Sequence, residues 1–287
     1  MRATTVLQGL LLSLATNIAL ADTFVFTAIP DQDERRLTER FGQIADYLAA
    51  ELDVEVEYIP VKSYAAAVSA FRNDQVQLAW FGGLTGVQAR RLVPGSQAIA
   101  QGVEDTAFKS YLIAHSSTGL APMDELDDSL QGLSFTFGSK GSTSGRLMPE
   151  YFLREALGSA PEDVFSRVGF SGDHSRTIAL VESGAYELGV LNYAVWDAAF
   201  EAGEIDSDAV QVIWESPTYP DYQWTIRGDA DARFGEGFID RVQQALLNMT
   251  DPTLLAAFPR SGFVPASNAD YAPIEDTAVS IGLMDAE

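Results

Sequence analysis

Cysteine is absent from all 287 residues. That excludes disulfides, thiolate metal sites, a cysteine nucleophile and a lipid-bearing cysteine at an export cleavage site. Histidine is nearly absent too, His115 and His174 being the only two. A zinc site built on several imidazoles is therefore excluded, and a hydrolytic triad would have to use one of this pair. Positive charge is scarce, with 18 Lys and Arg against 41 Asp and Glu. A field of that sign repels nucleic acid and anionic membrane surfaces, so neither is expected as a partner. Repeats, low-complexity tracts and a Pro-rich linker are missing as well, so crossing segments of ordered chain, not a floppy tether, are expected to join any lobes.

The one notable apolar stretch is at the amino end. Val6 to Leu20 follows Met1-Arg2, is interrupted by Ser13, Thr16 and Asn17, and runs into the small-x-small site Ala19-Leu20-Ala21. Residues 1–21 therefore read as a signal peptide, too short and too polar for a membrane span. The expected compartment is an oxidising one, most simply a bacterial periplasm, with the mature chain starting at Asp22. Loss of Arg2 leaves 17 basic against 41 acidic residues, a net charge of −24. An apolar fraction of 47% is enough to fill the cores of two modest α/β domains or one large one.

Strand and helix patterns alternate along that chain. Phe24–Ala28 reads as a strand, and Glu34–Leu52 as a helix with Leu37, Phe41, Ile44, Ala45 and Leu48 on one stripe. Val54–Val61, a helix over Tyr64–Arg72 and a strand at Val76–Phe81 complete a βαβαβ unit. A helix over Gly82–Leu92, extended chain at Ser96–Gly102 and a strand at Tyr111–His115 follow. After Pro122 the pattern restarts: a short helix Met123–Leu130, strand Ser134–Phe137, helix Arg146–Leu157, strand Arg167–Phe170, helix Ser175–Val181, strand Glu187–Leu191 and helix Ala194–Ala202. Strands Val210–Glu215 and Trp224–Arg227 and an amphipathic helix Phe234–Met249 end the pattern. Such alternation predicts an α/β fold with mostly parallel sheets flanked by helices. Crossing strands are expected near Ile113–His115 and Val212–Glu215, which sets lobe 1 at residues 22–113 plus 215–287 and lobe 2 at residues 114–214. Ligands in such folds lie at the carboxyl ends of strands, where helices begin.

The stretch Gly138-Ser139-Lys140-Gly141-Ser142-Thr143-Ser144-Gly145 sits at one such junction. Its glycines do not make a nucleotide phosphate loop, because Lys140 precedes the second glycine, nor a nucleophile elbow, because Thr143 holds the central place. Two readings remain. Ser142 to Ser144 cap a helix, or their hydroxyls and the first-turn N–H groups collect an anion. Against a net charge of −24, an anion site has to work by close neutral dipoles, desolvation and shape, not by long-range steering.

The order of several short segments carries a resemblance: Tyr64-Ala65 after a strand, Leu78-Ala79-Trp80-Phe81-Gly82-Gly83-Leu84, Gly141-Ser142-Thr143-Ser144-Gly145, Gly172-Asp173-His174, and Trp214-Glu215-Ser216-Pro217 through Pro220-Asp221. Over nearly all of the mature chain the sequence resembles the periplasmic phosphonate- and phosphite-binding proteins of ABC importers. Phe26–Glu34 and Trp80–Arg91 are most similar to a subgroup labelled selenate-binding. The resemblance implies a two-lobed periplasmic binding protein of type II, each lobe a mixed, mostly parallel sheet, closing over a small oxyanion: selenate, selenite, phosphite, phosphate or a small phosphonate. It also implies that Ser142, Thr143, Ser144, Tyr64 and His174 donate to the anion. Phe81 stands where relatives have Tyr, leaving only backbone N–H groups around Phe81, Gly82 and Gly83. Asp221 matches one of two acids that grip an aminoalkyl ligand, and Ala194 replaces the other. An ammonium left half-paired in a closed cleft is costly, so a compact oxyanion without an amine tail is expected.

Among the aromatics near these loops, Trp80 and Trp224 read as core, while Tyr219 and Tyr222 beside Asp221 read as pocket candidates on an exposed loop. Asp221 either accepts a proton from a protonated oxyanion or caps a turn. The expected partners are the anion and an inner-membrane permease with its ATPase, the chain acting as a monomer with no cofactor or metal. A secreted hydrolase or transferase with a Ser nucleophile at 142–144 is a competing class, though it lacks a base at any recognised spacing. An oxyanion-sensing lobe serving a membrane kinase is a third.

Overall fold

The computed structural model describes residues 22–256, 258 and 260–286; the expected signal peptide lies outside the described residues. In chain order its elements are β1 (Phe24–Ala28), α1 (Glu34–Leu52), β2 (Val56–Tyr58), α2 (Tyr64–Arg72), β3 (Leu78–Phe81), α3 (Gly83–Leu92), β4 (Gln97–Gly102) and β5 (Ser110–His115). Then come β6 (Ser134–Phe137), α4 (Met148–Leu157), α5 (Pro161–Val164), β7 (Arg167–Phe170), α6 (His174–Glu182), β8 (Leu188–Asn192), α7 (Tyr193–Glu201) and β9 (Val210–Glu215). The chain finishes with β10 (Gln223–Ile226), α8 (Ala230–Phe234), α9 (Phe238–Leu247), α10 (Pro252–Ala256), β11 (Phe263–Pro265) and α11 (Ala272–Ser280).

The strands form two mixed sheets, β11-β4-β10-β3-β1-β2 and β7-β6-β8-β5-β9. In the first, β1 pairs in parallel with β2 and β3, while β10 lies antiparallel between β3 and β4 and β11 antiparallel beside β4. In the second, β6 pairs in parallel with β7 and β8, and β5 lies antiparallel between β8 and β9. The direction of β5 and β10 has a simple cause. The other strands around them, β11 apart, end at the gap between the sheets. The chain crosses that gap twice, after β4 and after β9, so the strand it enters next must start at the gap and run away from it. Phe108 and Tyr219 tie the two crossings together by exchanging backbone hydrogen bonds of 2.8 and 2.9 Å. Strands β5 and β9, expected to carry the crossings, are both members of the second sheet; the chain crosses in the segments next to them.

Alternation within the strands sorts the cores. Leu112 and Ala114 of β5 face one side of the second sheet with Phe135, Phe137 and Val190, while Ile113 faces the other with Ile178, Val181 and Leu191, the period-2 signature of a sheet covered on both faces. In the first lobe α1 buries Leu37, Phe41, Ile44, Ala45, Leu48 and Leu52, the expected stripe extended by one residue, each larger side chain contributing about 1.5–3 kcal/mol. Asp33 caps its start through Arg35 N and Arg36 N.

Two expected helices differ. Residues 123–130 form only a 3₁₀ turn at Asp128–Leu130. Met123 N instead donates to Ile213 O at 2.8 Å, and Asp127 takes Ser129 N at 2.8 Å, an Asp side chain competing with the helical backbone. The expected Phe234–Met249 helix is broken between α8 and α9, where Gly235 and Gly237 take φ of 102° and 75°, values that a residue with a Cβ avoids.

Candidate functional site

Five helical segments begin in the gap between the sheets: α2 at Tyr64, α3 at Gly83, the turn at Thr143 that leads into α4, α6 at His174 and α7 at Tyr193. Each brings the positive end of a dipole, although several first-turn N–H groups are already taken, Gly83 N by Asp221 and Ala194 N and Val195 N by Asn192. The gap therefore offers partial positive charge at short range although the chain is strongly acidic overall.

The hydroxyl cluster lies within it, Ser142, Thr143 and Ser144 being 2%, 1% and 0% exposed. The chain does not enter α4 as an ordinary helix. Thr143–Leu147 is a π turn, with Leu147 N bonded to Ser142 O at 3.0 Å and Met148 N to Thr143 O, a wide turn of the kind found at functional sites. The capping and anion-binding readings turn out to be compatible. Ser142 Oγ accepts from Gly145 N at 2.9 Å and Thr143 Oγ1 accepts from Leu84 N at 3.0 Å. Each bond uses a hydroxyl lone pair and leaves the O–H hydrogen for another acceptor. Ser144 Oγ lies beside the Asp221 carboxyl but completes no hydrogen bond to it or to any other group.

Three more buried side-chain atoms around this cluster lack a partner: Tyr64 Oη, His174 Nε2 and Asp221 Oδ2. Tyr64 opens α2 behind the cap Ser63, and Gly141 lies so close that a Cβ there would sit 3.2 Å from Tyr64 Cβ. Burial, then the charge of Asp31, raises the Tyr64 phenol well above its usual value, so it remains a donor. His174 is fully buried. Its Nδ1 accepts from Asn192 N at 3.3 Å, which leaves the proton on Nε2, and burial lowers its pKa to about 3, so the ring stays neutral. Asp221 Oδ1 accepts from Gly83 N at 2.9 Å. Burial raises its pKa to about 7, partly offset by Gly83 N–H and by the Thr143 and Ser144 hydroxyls beside it. Gly82 has no room for a side chain, since a Cβ would meet Asp221 Oδ1 at 3.1 Å, Thr143 Oγ1 at 3.3 Å and Ile29 Cδ1 at 3.6 Å. Unpaired buried polar atoms are costly to keep, and here four of them gather in one place.

Tyr222 stands differently from what sequence reasoning expected of it; of Phe81 only the backbone was expected at the site. The Phe81 ring is buried edge-on against Phe71, centroids 5.7 Å apart, so it belongs to the core. Tyr222 is 2% and Tyr219 5% exposed, so both rings point inward although Pro217 and Thr218 of the same crossing are exposed. The Tyr222 hydroxyl is already engaged by Asp31 and Asn192, and that of Tyr219 by Ser110. Sequence reasoning did not single out Asp31, Asn192 and Ser110. The first two follow the rule for strand ends, but no local spacing connects them. Ser110 Oγ donates to Ser144 O at 2.7 Å from the start of β5, where the crossing chain enters the second sheet. Ala194, 8% exposed at the head of α7, places a methyl where an acid was sought. At the outer lip between the sheets a hollow of about 460 Å³ reaches Tyr64 and Gly141 past Lys140 and Phe170.

Comparison with known proteins bears on what such a site takes. The profile of the family described as "ABC transporter, phosphonate, periplasmic substrate-binding protein" matches residues 26–271. The chain is 41% identical over 256 residues to the Prochlorococcus marinus (strain MIT 9301) protein named "Probable ABC transporter phosphite binding protein PhnD1", a match covering 87% of this chain and 86% of that one. It is 23% identical to the phosphonates-binding periplasmic protein of Escherichia coli K12, over 88% of this chain and 75% of that one. The solved structure of Prochlorococcus PhnD1 in complex with methylphosphonate aligns with a TM-score of 0.88 at 39% identity, over 91% of this chain and 99% of that one.

Proposed function

The chain belongs to the phosphonate periplasmic substrate-binding family of ABC transporters, and from that premise we propose that it captures a small phosphorus oxyanion, phosphite or methylphosphonate, between its lobes for delivery to a permease. The observation that carries this is the gathering of Ser144 Oγ, Tyr64 Oη, His174 Nε2 and Asp221 Oδ2, all buried and all without a protein partner. Three are uncharged donors, which suits an anion in a dry site, where each N–H···O or O–H···O bond counts for more than in water. The fourth handles a proton. With a carboxyl pKa of about 7, Asp221 either donates to a dianion or accepts from the P–OH of a monoanion. In both cases one proton is shared between carboxyl and ligand.

Ala194 removes the second acid that an ammonium tail would need, which favours a compact ligand. The relatives described above bind phosphite and phosphonates by name, so phosphorus acids come ahead of selenate. Its homologues are binding proteins of ABC importers, not enzymes; His174 turns an N–H, not a lone pair, towards the gap and gives a Ser144 nucleophile no base, which leaves only Asp221 beside that hydroxyl. The family is periplasmic and works with ABC transporters; removal of residues 1–21, monomeric action and a permease with its ATPase as partners complete the reading.

Titration calorimetry of the mature chain tests it. Methylphosphonate and phosphite should bind at least tenfold more tightly than 2-aminoethylphosphonate. Tight 2-aminoethylphosphonate binding with no response to phosphite, methylphosphonate or the other small oxyanions would overturn it.

A further inference from the structure

Asp31, Tyr222, Asn192 and His174 form a closed ring of hydrogen bonds that joins the two lobes; His174 alone also faces the space left for the anion, through Nε2, an atom the ring does not use. Tyr222 Oη donates to Asp31 Oδ2 at 2.9 Å, Asn192 Nδ2 donates to Tyr222 Oη at 3.1 Å, and Asn192 N donates to His174 Nδ1 at 3.3 Å. His174 N closes the ring by donating to Asp31 O at 3.0 Å. All four residues are buried, none more than 4% exposed.

Every direction in the ring is forced. Asn192 Oδ1 is occupied as the cap of α7, accepting from Ala194 N at 2.7 Å and Val195 N at 3.3 Å, so its amide can only turn NH₂ towards Tyr222. The Tyr222 oxygen, accepting there, must send its own hydrogen onward to Asp31. Asp31 and Tyr222 belong to the first lobe: Asp31 follows β1, and the Tyr222 ring is stacked on Trp80 of β3 at 5.5 Å and 24°. His174 and Asn192 belong to the second, on α6 and at the end of β8. Two bonds therefore cross between lobes, Asn192 to Tyr222 and His174 N to Asp31 O. With the lobes apart, water can satisfy all of these groups. With the lobes together, each has only its partner.

We propose that the Asp31–Tyr222 pair is a closure latch: it holds the second lobe by Asn192 and the backbone of His174, and so sets how often the protein is closed before any ligand arrives. Tyr222 is then a positioning residue and not a contact of the anion. An ion pair between the lobes, Arg36 with Glu204 at 2.7 Å, is about half exposed at both ends and contributes little; Leu84 N to Thr143 Oγ1 at 3.0 Å is a further buried bond across the gap and is untouched by a change at Tyr222. A latch of this kind leaves a particular signature. Ligands bind only the closed form, so apparent affinity scales with the closed fraction, and weakening the latch weakens every ligand by one common factor.

The test is Tyr222→Phe, which keeps the ring on Trp80 and deletes only the hydroxyl. Because the chain has no cysteine, Glu51→Cys and Glu162→Cys, both exposed and one on each lobe, can carry a fluorescent pair for single-molecule energy transfer. In ligand-free protein the closed-to-open ratio should fall about tenfold on Tyr222→Phe, the size expected when a buried bond network ending on a carboxylate is broken. The dissociation constants of phosphite and methylphosphonate should rise in parallel, with their ratio unchanged. Asp31→Asn, which keeps an acceptor but removes its charge, should give a smaller loss and serves as the second variant should Tyr222→Phe unfold. An unchanged ligand-free ratio in both variants, or a loss differing between the two anions, would overturn the latch. The affinity arm rests on the solute-capture reading; the ligand-free arm does not, so failure of one is distinguishable from failure of the other.

Discussion

His174 and Asp221 share one dry space, and burial moves their proton affinities in opposite senses. Asp221 is raised from 3.8 to about 7, so the folded chain keeps a proton that the unfolded chain has lost. Its contribution is full below pH 3.8 and disappears as pH rises towards 7. His174 is lowered from 6.5 to about 3, so the unfolded chain binds a proton that the folded one refuses. That penalty is full near pH 3 and gone above 6.5. Across the acidic range the two slopes oppose one another, and single variants should separate them. Thermal unfolding of ligand-free Asp221→Asn should show stability rising with pH more steeply than wild type between about pH 4 and 6.5, while His174→Gln should fall more steeply towards about pH 7. Three parallel curves would mean that neither group titrates differently on folding. At this scale Ser142, Thr143 and Ser144 stood out as hydroxyls at a strand-to-helix junction, while Tyr64, His174 and Asp221 were picked out by the family resemblance, Asp221 lying on the crossing between β9 and β10. Asp31 sits at the same kind of junction, but its partner Tyr222 is 191 positions away. No local pattern encodes that pairing, and the same blindness made Tyr222 look like a pocket residue.

The loop between β6 and α4 is the element in which function and folding meet. It fits the opposite lobe closely: a Cβ on Gly141 would stand 3.2 Å from Tyr64 Cβ and 3.3 Å from Thr85 Cγ2. Both neighbours lie across the gap, on α2 and α3, so extra bulk obstructs closure and not the folding of either lobe. Gly141→Ala should therefore weaken methylphosphonate binding by roughly tenfold, as a displacement of a few tenths of an ångström spreads through close-packed neighbours. Its ligand-free melting temperature should stay within about 2 °C of wild type, the shift small surface changes produce. A large drop in melting temperature with unchanged affinity would contradict this. Helix α2 matched its expected bounds because its cap and apolar periodicity agree. The π turn was not legible, since the loop that carries it is tied to the neighbouring lobe by Leu84 N on Thr143 Oγ1, a contact no local pattern encodes. The helix expected over 123–130 was lost to a backbone bond with β9, a tertiary choice that overrides a weak local pattern.

Over the whole molecule, strand direction and charge tell one story. Strand and helix alternation showed that each lobe would have a parallel core, and it does. It gave no sign of which strands run backwards, because β5 and β10 are reversed by the crossings, not by anything in their own residues. The formal net charge of −23 gives an anion no long-range attraction, whereas five helix starts face the gap at short range. The account thus stands on uncharged donors in a closed gap. A crystal structure of the mature protein with methylphosphonate tests that most directly. It should place the phosphonate oxygens about 2.6–3.0 Å from Ser144 Oγ, Tyr64 Oη and His174 Nε2, with Asp221 sharing a proton and no Lys or Arg in contact. An anion held by a guanidinium or ammonium, or bound outside the gap, would contradict it.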